Sequence, residues 1–153
     1  MIKIERILYP TNFSDYCSHA RPYAIDMAKT FEAKVTLMHV VPTELYPASF
    51  AFSVDLQDLY NGLEEPAQKR LEELLKIFQD AGVDAESLTE IGSPFVNIVD
   101  AASRLNVDLI IMATHGWGAI KHMLLGSTAE RVVRKAPCPV LTIRHPEHEF
   151  VHP

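Results

Sequence analysis

The chain is poor in cysteine, carries no surplus of positive charge, and lacks both long apolar runs and a lysine-bearing phosphate loop. Each absence removes a class of function. Cys17 and Cys138 are the only 2 cysteines in 153 residues, and neither has partners at metal-ligand spacing. Such thiols read as reduced core fillers, not as a disulfide framework or a metal clasp. With 14 Lys+Arg against 20 Asp+Glu the formal charge is −6, which argues against general nucleic-acid binding, because backbone affinity rests on cations displacing counterions. No stretch approaches the roughly 18 to 20 apolar residues of a membrane span, and "MIKIERILYP" lacks the apolar core of a signal peptide. The expectation is a cytoplasmic protein with no membrane or nucleic-acid partner. The G-x-x-x-x-G-K-[ST] and G-x-G-x-x-G patterns are missing, which excludes a motor-type NTPase and a dinucleotide enzyme.

What is present is an alternation of strand and helix signals. "IERILYP" reads as a strand stopped by Pro10. Ser14 is a candidate N-cap for a helix whose apolar stripe is Ala20, Tyr23, Ala24, Met27, Ala28 and Phe31, with Pro22 near its start or kinking it. "KVTLMHVV" is a second strand. Residues 42 to 62, with two prolines and a Tyr/Phe cluster, read as a long connection with some helix. A clearer helix then opens near Pro66, buries Ala67, Leu71, Leu74, Leu75 and Phe78, and ends at Gly82. "AESLTEIG" supplies a third strand. Ser93 and Pro94 open a helix with Phe95, Ile98, Val99 and Ala102 on one face. "VDLIIMAT" is a continuous apolar run suited to a buried central strand. "STAERVVRKA" is a helix striped by Ala129, Val132, Val133 and Ala136, with Arg131, Arg134 and Lys135 toward its negative end. "PCPVLTIRH" closes the set. The reading is an α/β chain with a single-domain, doubly wound five-stranded parallel sheet of order 3-2-1-4-5 and helices on both faces. That domain spans residues 1–145. Residues 146–153 are expected to be a mobile tail, and His145, His148 and His152 lack the H-E-x-x-H order of a rigid metal site.

In such sheets ligands bind beyond the carboxyl ends of the strands, where the winding reverses. Two segments fall there: "PTNFSD" after the first strand and "ATHG" after the fourth. The second begins "ATHGWGAIKHMLLGST", in which Gly116 and Gly126 flank nine residues and Gly126 leads into Ser127 at a helix start. Amides at such a start attract phosphate, glycine permits close approach, and Ser127 and Thr128 add hydroxyls. The residues alone therefore point to a mononucleotide or another phosphorylated ligand. His115 is a candidate acid or base, Lys121 and His122 are candidate phosphate neutralisers, and Trp117 is a candidate packing or contact residue.

The segments "ILYPTNFSD", "LMHVV" and "ATHGWGAIKHMLLGSTAERVVRKAPCPVL" resemble the universal stress protein family over essentially the whole chain. Nucleotide-binding members carry G-x-x-G, nine residues, then G-[ST]. This chain matches with Gly116, Gly126 and Ser127, but Ala113 replaces the first glycine and Asn12 stands where the family usually has aspartate. The resemblance implies ATP (or AMP or ADP) as a regulatory ligand, with Mg2+ as its optional companion and with hydrolysis slow and incidental. It implies that Pro10, Thr11 and Asn12 border ribose and adenine, and that Val40 meets adenine through its backbone. Met112, Ala113, Thr114, His115, Gly116, Trp117 and Gly118 would wrap sugar and phosphates, with Gly126, Ser127 and Thr128 closing on the phosphates. It also implies a homodimer through the last strand, at Val140, Leu141, Thr142 and Ile143. Two rival readings are a nucleotide-independent dimeric interaction protein with a degraded site and a hydrolase using His115.

Overall fold

The computed structural model describes residues 1–43, 56–115 and 125–146. Gly116, Trp117, Gly118, Lys121, His122, His148 and His152 lie outside the described residues, as do most of the Tyr/Phe cluster and nearly all of the expected tail. Chain order is β1 (Arg6–Pro10), α1 (Asp15–Phe31), β2 (Lys34–Pro42), α2 (Leu56–Asp80), β3 (Ala85–Gly92), α3 (Pro94–Arg104), β4 (Leu109–Ala113), α4 (Ser127–Lys135) and β5 (Val140–Ile143). The five strands form one sheet of order β3-β2-β1-β4-β5, every pairing parallel, as the alternation predicts. Among the described residues no helix is long and apolar enough to cross a membrane.

Two apolar layers clothe the sheet, because successive strand residues point to opposite faces. Ile7, Tyr9, Val35, Leu37 and Ile111 pack with α1 and α2, whereas Leu8, Met38, Val40, Ile110 and Met112 pack with α3 and α4. The central strands β1 and β4 are buried along nearly their whole length, which accounts for their unbroken apolar sequences.

Helix α1 meets the sheet through a narrower stripe than its sequence suggests. Cys17, Ala20, Ala24 and Ala28 are buried, while Tyr23 and Phe31 keep 48% and 41% of their surface exposed. Small side chains at i, i+3 and i+4 spacing let the helix lie close to the sheet and turn its larger residues outward. Ser14 caps the helix by accepting the Cys17 N–H at 3.4 Å. Pro22 sits inside the helix, eight residues in; it removes the N–H that the Ser18 carbonyl would have accepted, yet the helix runs on. Helix α2 likewise begins at Leu56, ten residues before Pro66. Gly62 stands four residues ahead of that proline, at the carbonyl the ring crowds, and glycine yields there most easily. In α4, Ala129 and Val132 are buried, but Val133 is 47% exposed and belongs to the outer face.

Ala24 is fully buried in the close α1 contact. Ala24→Leu is therefore expected to destabilise the fold by about 1–3 kcal/mol through overpacking, measured as a lowered urea midpoint with an unchanged m-value.

Candidate functional site

The geometry starts at Pro10. In β1, Glu5 accepts from Lys34 and Thr11 donates to Met38 at 2.8 Å, so odd-numbered residues turn their backbone groups toward β2; Arg6 accepts from Asp108, so even-numbered ones turn toward β4. Pro10 falls on the β4 side and has no N–H to give. Pairing between β1 and β4 covers only Ile7↔Leu109 and Leu8↔Ile110. The ladder ends there because Pro10 cannot donate, and the winding reverses between these two strands.

The β1 side of this crevice is held by a relay of short-range bonds. The Phe13 N–H donates to Thr11 Oγ1 at 3.0 Å, and the Ser14 N–H donates to Asn12 Oδ1 at 3.1 Å. The Cys17 thiol also donates to Asn12 Oδ1, at 3.2 Å. Phe13 is held at φ 62°, the left-handed region that larger residues avoid. Its ring meets the His39 ring at a centroid distance of 4.6 Å, tilted by 35°, and the Arg70 guanidinium carbon lies over it at 4.7 Å. Below it, the buried Tyr9 hydroxyl donates to the Cys17 carbonyl, and burial raises the phenol pKa well above its ordinary value.

His39 has a second task that the sequence did not advertise. Its Nδ1 lies 2.8 Å from the Thr11 carbonyl oxygen. A carbonyl can only accept, so Nδ1 carries the proton. In a continuing ladder that carbonyl would take the Val40 N–H. The β1–β2 register instead stops at Pro10↔Met38. Even-numbered residues of β2 turn toward β1, since Met38 accepts from Thr11, while Val35 and Thr43 bond on the β3 side. The N–H and C=O of Val40 therefore face the space above the end of β1, although its side chain is buried in the α3/α4 layer.

On the β4 side, Ala113, Thr114 and His115 are all buried. Ala113 belongs to the core layer under α1, so its methyl is absorbed by packing, and its φ is not positive. Thr114 donates its N–H to Ile143 at 3.0 Å, while its carbonyl accepts the Gly126 N–H at 2.7 Å. That last bond ties the start of α4 to the end of β4. Gly126 is the N-cap residue with an ordinary φ of −68°, and it offers no side-chain cap. The first amides of α4, from Ser127 onward, have no intrahelical acceptor, and Gly126 supplies no side-chain cap to them.

Two of the expected site residues also answer to contacts within the protein. Gly126 reads as a glycine kept small for a phosphate, but a Cβ there would stand 3.1 Å from the Thr114 carbonyl oxygen and 3.5 Å from the His115 Cα. Its first constraint is the close approach of two backbones within the protein, a long-range contact that no local pattern reveals. His115, a candidate acid or base, is only 5% exposed. Its Nδ1 shares a hydrogen bond with Thr114 Oγ1 at 2.9 Å, and its ring lies 5.9 Å from that of Tyr16 on α1. His145 meets the same Tyr16 ring at 5.2 Å and His19 at 5.1 Å, so it is part of the packed body and not of a tail. Among the described residues no group of three or more His, Cys, Asp or Glu could hold a metal ion.

The structure thus gathers Pro10, Thr11, Asn12, Val40, Met112, Ala113, Thr114, His115, Gly126, Ser127 and Thr128 around the carboxyl ends of β1, β2 and β4. Buried backbone, a hydroxyl pair and a helix start converge there, a donor set suited to a base and an anionic group.

Burial lowers the His39 pKa below 6.5, the Thr11 bond opposing that shift and the Arg70 charge reinforcing it. A histidine kept neutral in the fold contributes stability in full above its unfolded pKa and loses it as pH falls through the folded one. Between about pH 8 and about pH 5 the urea midpoint should fall more steeply for the parent than for His39→Gln, which keeps an N–H for Thr11 but does not titrate. Parallel slopes would contradict this.

Comparison with known proteins adds the following. The family model described as "Universal stress protein family" matches residues 3–144. The universal stress protein MJ0531 of Methanocaldococcus jannaschii is 34% identical over 148 residues, covering 95% of this chain and 85% of its own. MJ0577 of the same organism is 32% identical over 157 residues, covering 94% of this chain and 96% of its own. The solved structure of MJ0577 superposes with a TM-score of 0.86 at 31% identity, over 95% of this chain and 99% of that one. Two more distant structures share the fold. One is a universal stress protein in complex with cAMP, at 22% identity and TM-score 0.69, over 93% of this chain and 98% of that one. The other is an Arabidopsis thaliana family protein with AMP bound, at 19% identity and TM-score 0.67, over 94% of this chain and 93% of that one.

Proposed function

The chain belongs to the universal stress protein family, and from that premise we propose that it is a cytoplasmic stress-response protein that takes an adenine nucleotide (ATP, ADP or AMP) at the crevice between β1 and β4 as a regulatory ligand. The observation that carries this reading is the bond from Gly126 to Thr114, which ties the start of α4, without a side-chain cap from Gly126, to the carboxyl end of β4 beside β1. Phosphates would lie against the Ser127 and Thr128 amides and hydroxyls, where the helix dipole favours negative charge. Adenine would lie against the Val40 backbone, and ribose against Thr11 and Asn12. Asn12 Oδ1 is engaged by Ser14 and Cys17, so Asn12 serves the shape of the loop and brings no charge; Mg2+ would arrive on the nucleotide's own phosphates. His115, turned onto Thr114 and Tyr16, lacks the open position of a general base, which favours a binding role over hydrolysis. The family members solved with cAMP and AMP support adenine nucleotides as the ligand class.

Calorimetric titration with ATP, ADP and AMP tests this reading. Ser127→Ala, at an exposed position, should weaken binding by about 1.5 kcal/mol, roughly tenfold, with an unchanged circular dichroism spectrum. Heats at the dilution baseline for all three nucleotides would overturn the proposal. Gly126→Val is a poorer test, because it displaces the Thr114 backbone whether or not a phosphate binds.

We further propose a homodimer through β5, the apolar edge strand at Val140–Ile143. The carbonyls of Pro139 and Ile143 accept from β4, so alternation turns Val140 and Thr142 outward. Thr142→Pro would remove an outward N–H while sparing the β4 ladder. Light scattering should then show the parent as a dimer and Thr142→Pro as a folded monomer; a monomeric parent at micromolar concentration refutes the assembly.

A further inference from the structure

On the opposite side of the Thr11–Phe13 loop, α1 and α2 flank a cleft of about 170 Å3. Ser18 and Arg21 line it from α1, Arg70 and Glu73 from α2, and Thr11 and Phe13 form its roof. Two cationic side chains thus face one small space. Among the described residues neither is ion-paired; the ion pairs there engage Lys3, Lys34, Arg104 and Arg134. In a chain with 20 carboxylates and a formal charge of −6, two guanidinium groups without a carboxylate partner at the same cleft leave a local excess of positive charge. Arg70 is also held in place, its guanidinium lying over the Phe13 ring. Stacking orders the plane of the fork and leaves its N–H edge free to donate.

We propose that this cleft is a second, separate anion site, taking a small tetrahedral oxyanion of the phosphate type between Arg21 and Arg70 with the Ser18 hydroxyl as a further donor. The volume matches that class. It holds the equivalent of a few waters, yet falls below the roughly 300 Å3 at which sites for larger ligands begin. Planar forks from two directions suit an oxyanion, which accepts paired N–H bonds. Glu73 opposes the ligand and limits its affinity. It stands three residues from Arg70 on α2, yet the two form no ion pair, so the guanidinium is not neutralised by its own helix. The site does not depend on the nucleotide reading, since its lining contains none of Val40, Thr114, Ser127 or Thr128. It shares only the loop, Thr11 and Phe13, so an anion bound below would steady the wall that the crevice uses above, and the coupling would be reciprocal.

The same chemistry could come from free phosphate or from a nucleotide's terminal phosphate, and the test separates the two. The ¹⁵N-labelled full chain is titrated with inorganic phosphate at ionic strength held constant with chloride, and in parallel with ATP. Free-ion binding predicts saturable amide shifts at Phe13, Ser18, Arg21 and Arg70 with phosphate. Arg21→Gln and Arg70→Gln should each weaken that binding roughly tenfold, and Glu73→Gln should tighten it. The gain on Glu73→Gln guards against variants that merely lose structure, and circular dichroism checks each fold. Phosphate shifts that are linear, or confined to residues 127–129, would overturn the proposal. So would weaker phosphate binding in Glu73→Gln, or ATP alone moving the Arg21 and Arg70 amides. Phosphate binding that follows the arginines while ATP gives no heat would leave this site standing and remove the nucleotide reading.

Discussion

A missing hydrogen governs the upper half of this molecule. Pro10 occupies the position in β1 from which a backbone N–H would reach toward β4, and it has none. The hydrogen-bonded pairing of β1 with β4 accordingly spans two residue pairs and stops where the winding reverses. The rest of the site answers that stop. The Thr11–Phe13 loop folds over its own side chains, His39 takes the carbonyl that would have prolonged the β1–β2 ladder, and Thr114 takes the N-cap of α4.

These contacts keep buried polar backbone satisfied without closing the crevice. The Thr11 N–H still joins β2 through Met38, but the Thr11 carbonyl goes to the His39 side chain, and the Thr11 and Asn12 side chains bond within their own loop. The Val40 amide and the first turn of α4 are what remains facing outward. The crevice therefore follows from where hydrogen bonds are spent elsewhere, and its polarity is mostly that of the main chain. Side-chain substitutions such as Ala113 and Asn12 bear on it less than their positions in the motif suggest, since one packs into the core and the other braces its own loop.

The architecture was readable in the sequence because four strands are largely apolar runs set between helical stripes, β3 with its Glu86 and Glu90 being the exception; alternation implied a parallel, doubly wound sheet, and the family resemblance agreed with the order 3-2-1-4-5. Local patterns were less informative about depth. Tyr23, Phe31 and Val133 fit apolar stripes but lie outside, since alanine and valine at neighbouring positions make the actual contacts. Pro66 looked like a helix start and Pro22 like a start or a kink, yet both sit within helices that run on despite the lost bond. The site was readable as a neighbourhood and not as a mechanism. That Gly126 must clear the Thr114 backbone, that His115 turns inward, and that His39 frees Val40 are facts of distant segments meeting. Nothing within a few residues of any of them carries that information.

The two borders of the sheet differ in a way that bears on how large an assembly can grow. Along β3 the outermost strand bears Glu86 and Glu90, engaged by Lys34 and Arg104 respectively, with Asn97 also donating to Glu90. Charged residues on an edge strand disfavour the addition of another strand. The β5 margin is short and apolar. The homodimer proposed above would extend the sheet once across a twofold axis and consume the β5 borders of both chains. Fibre growth, which requires a new receptive border after every addition, would have no continuation from it.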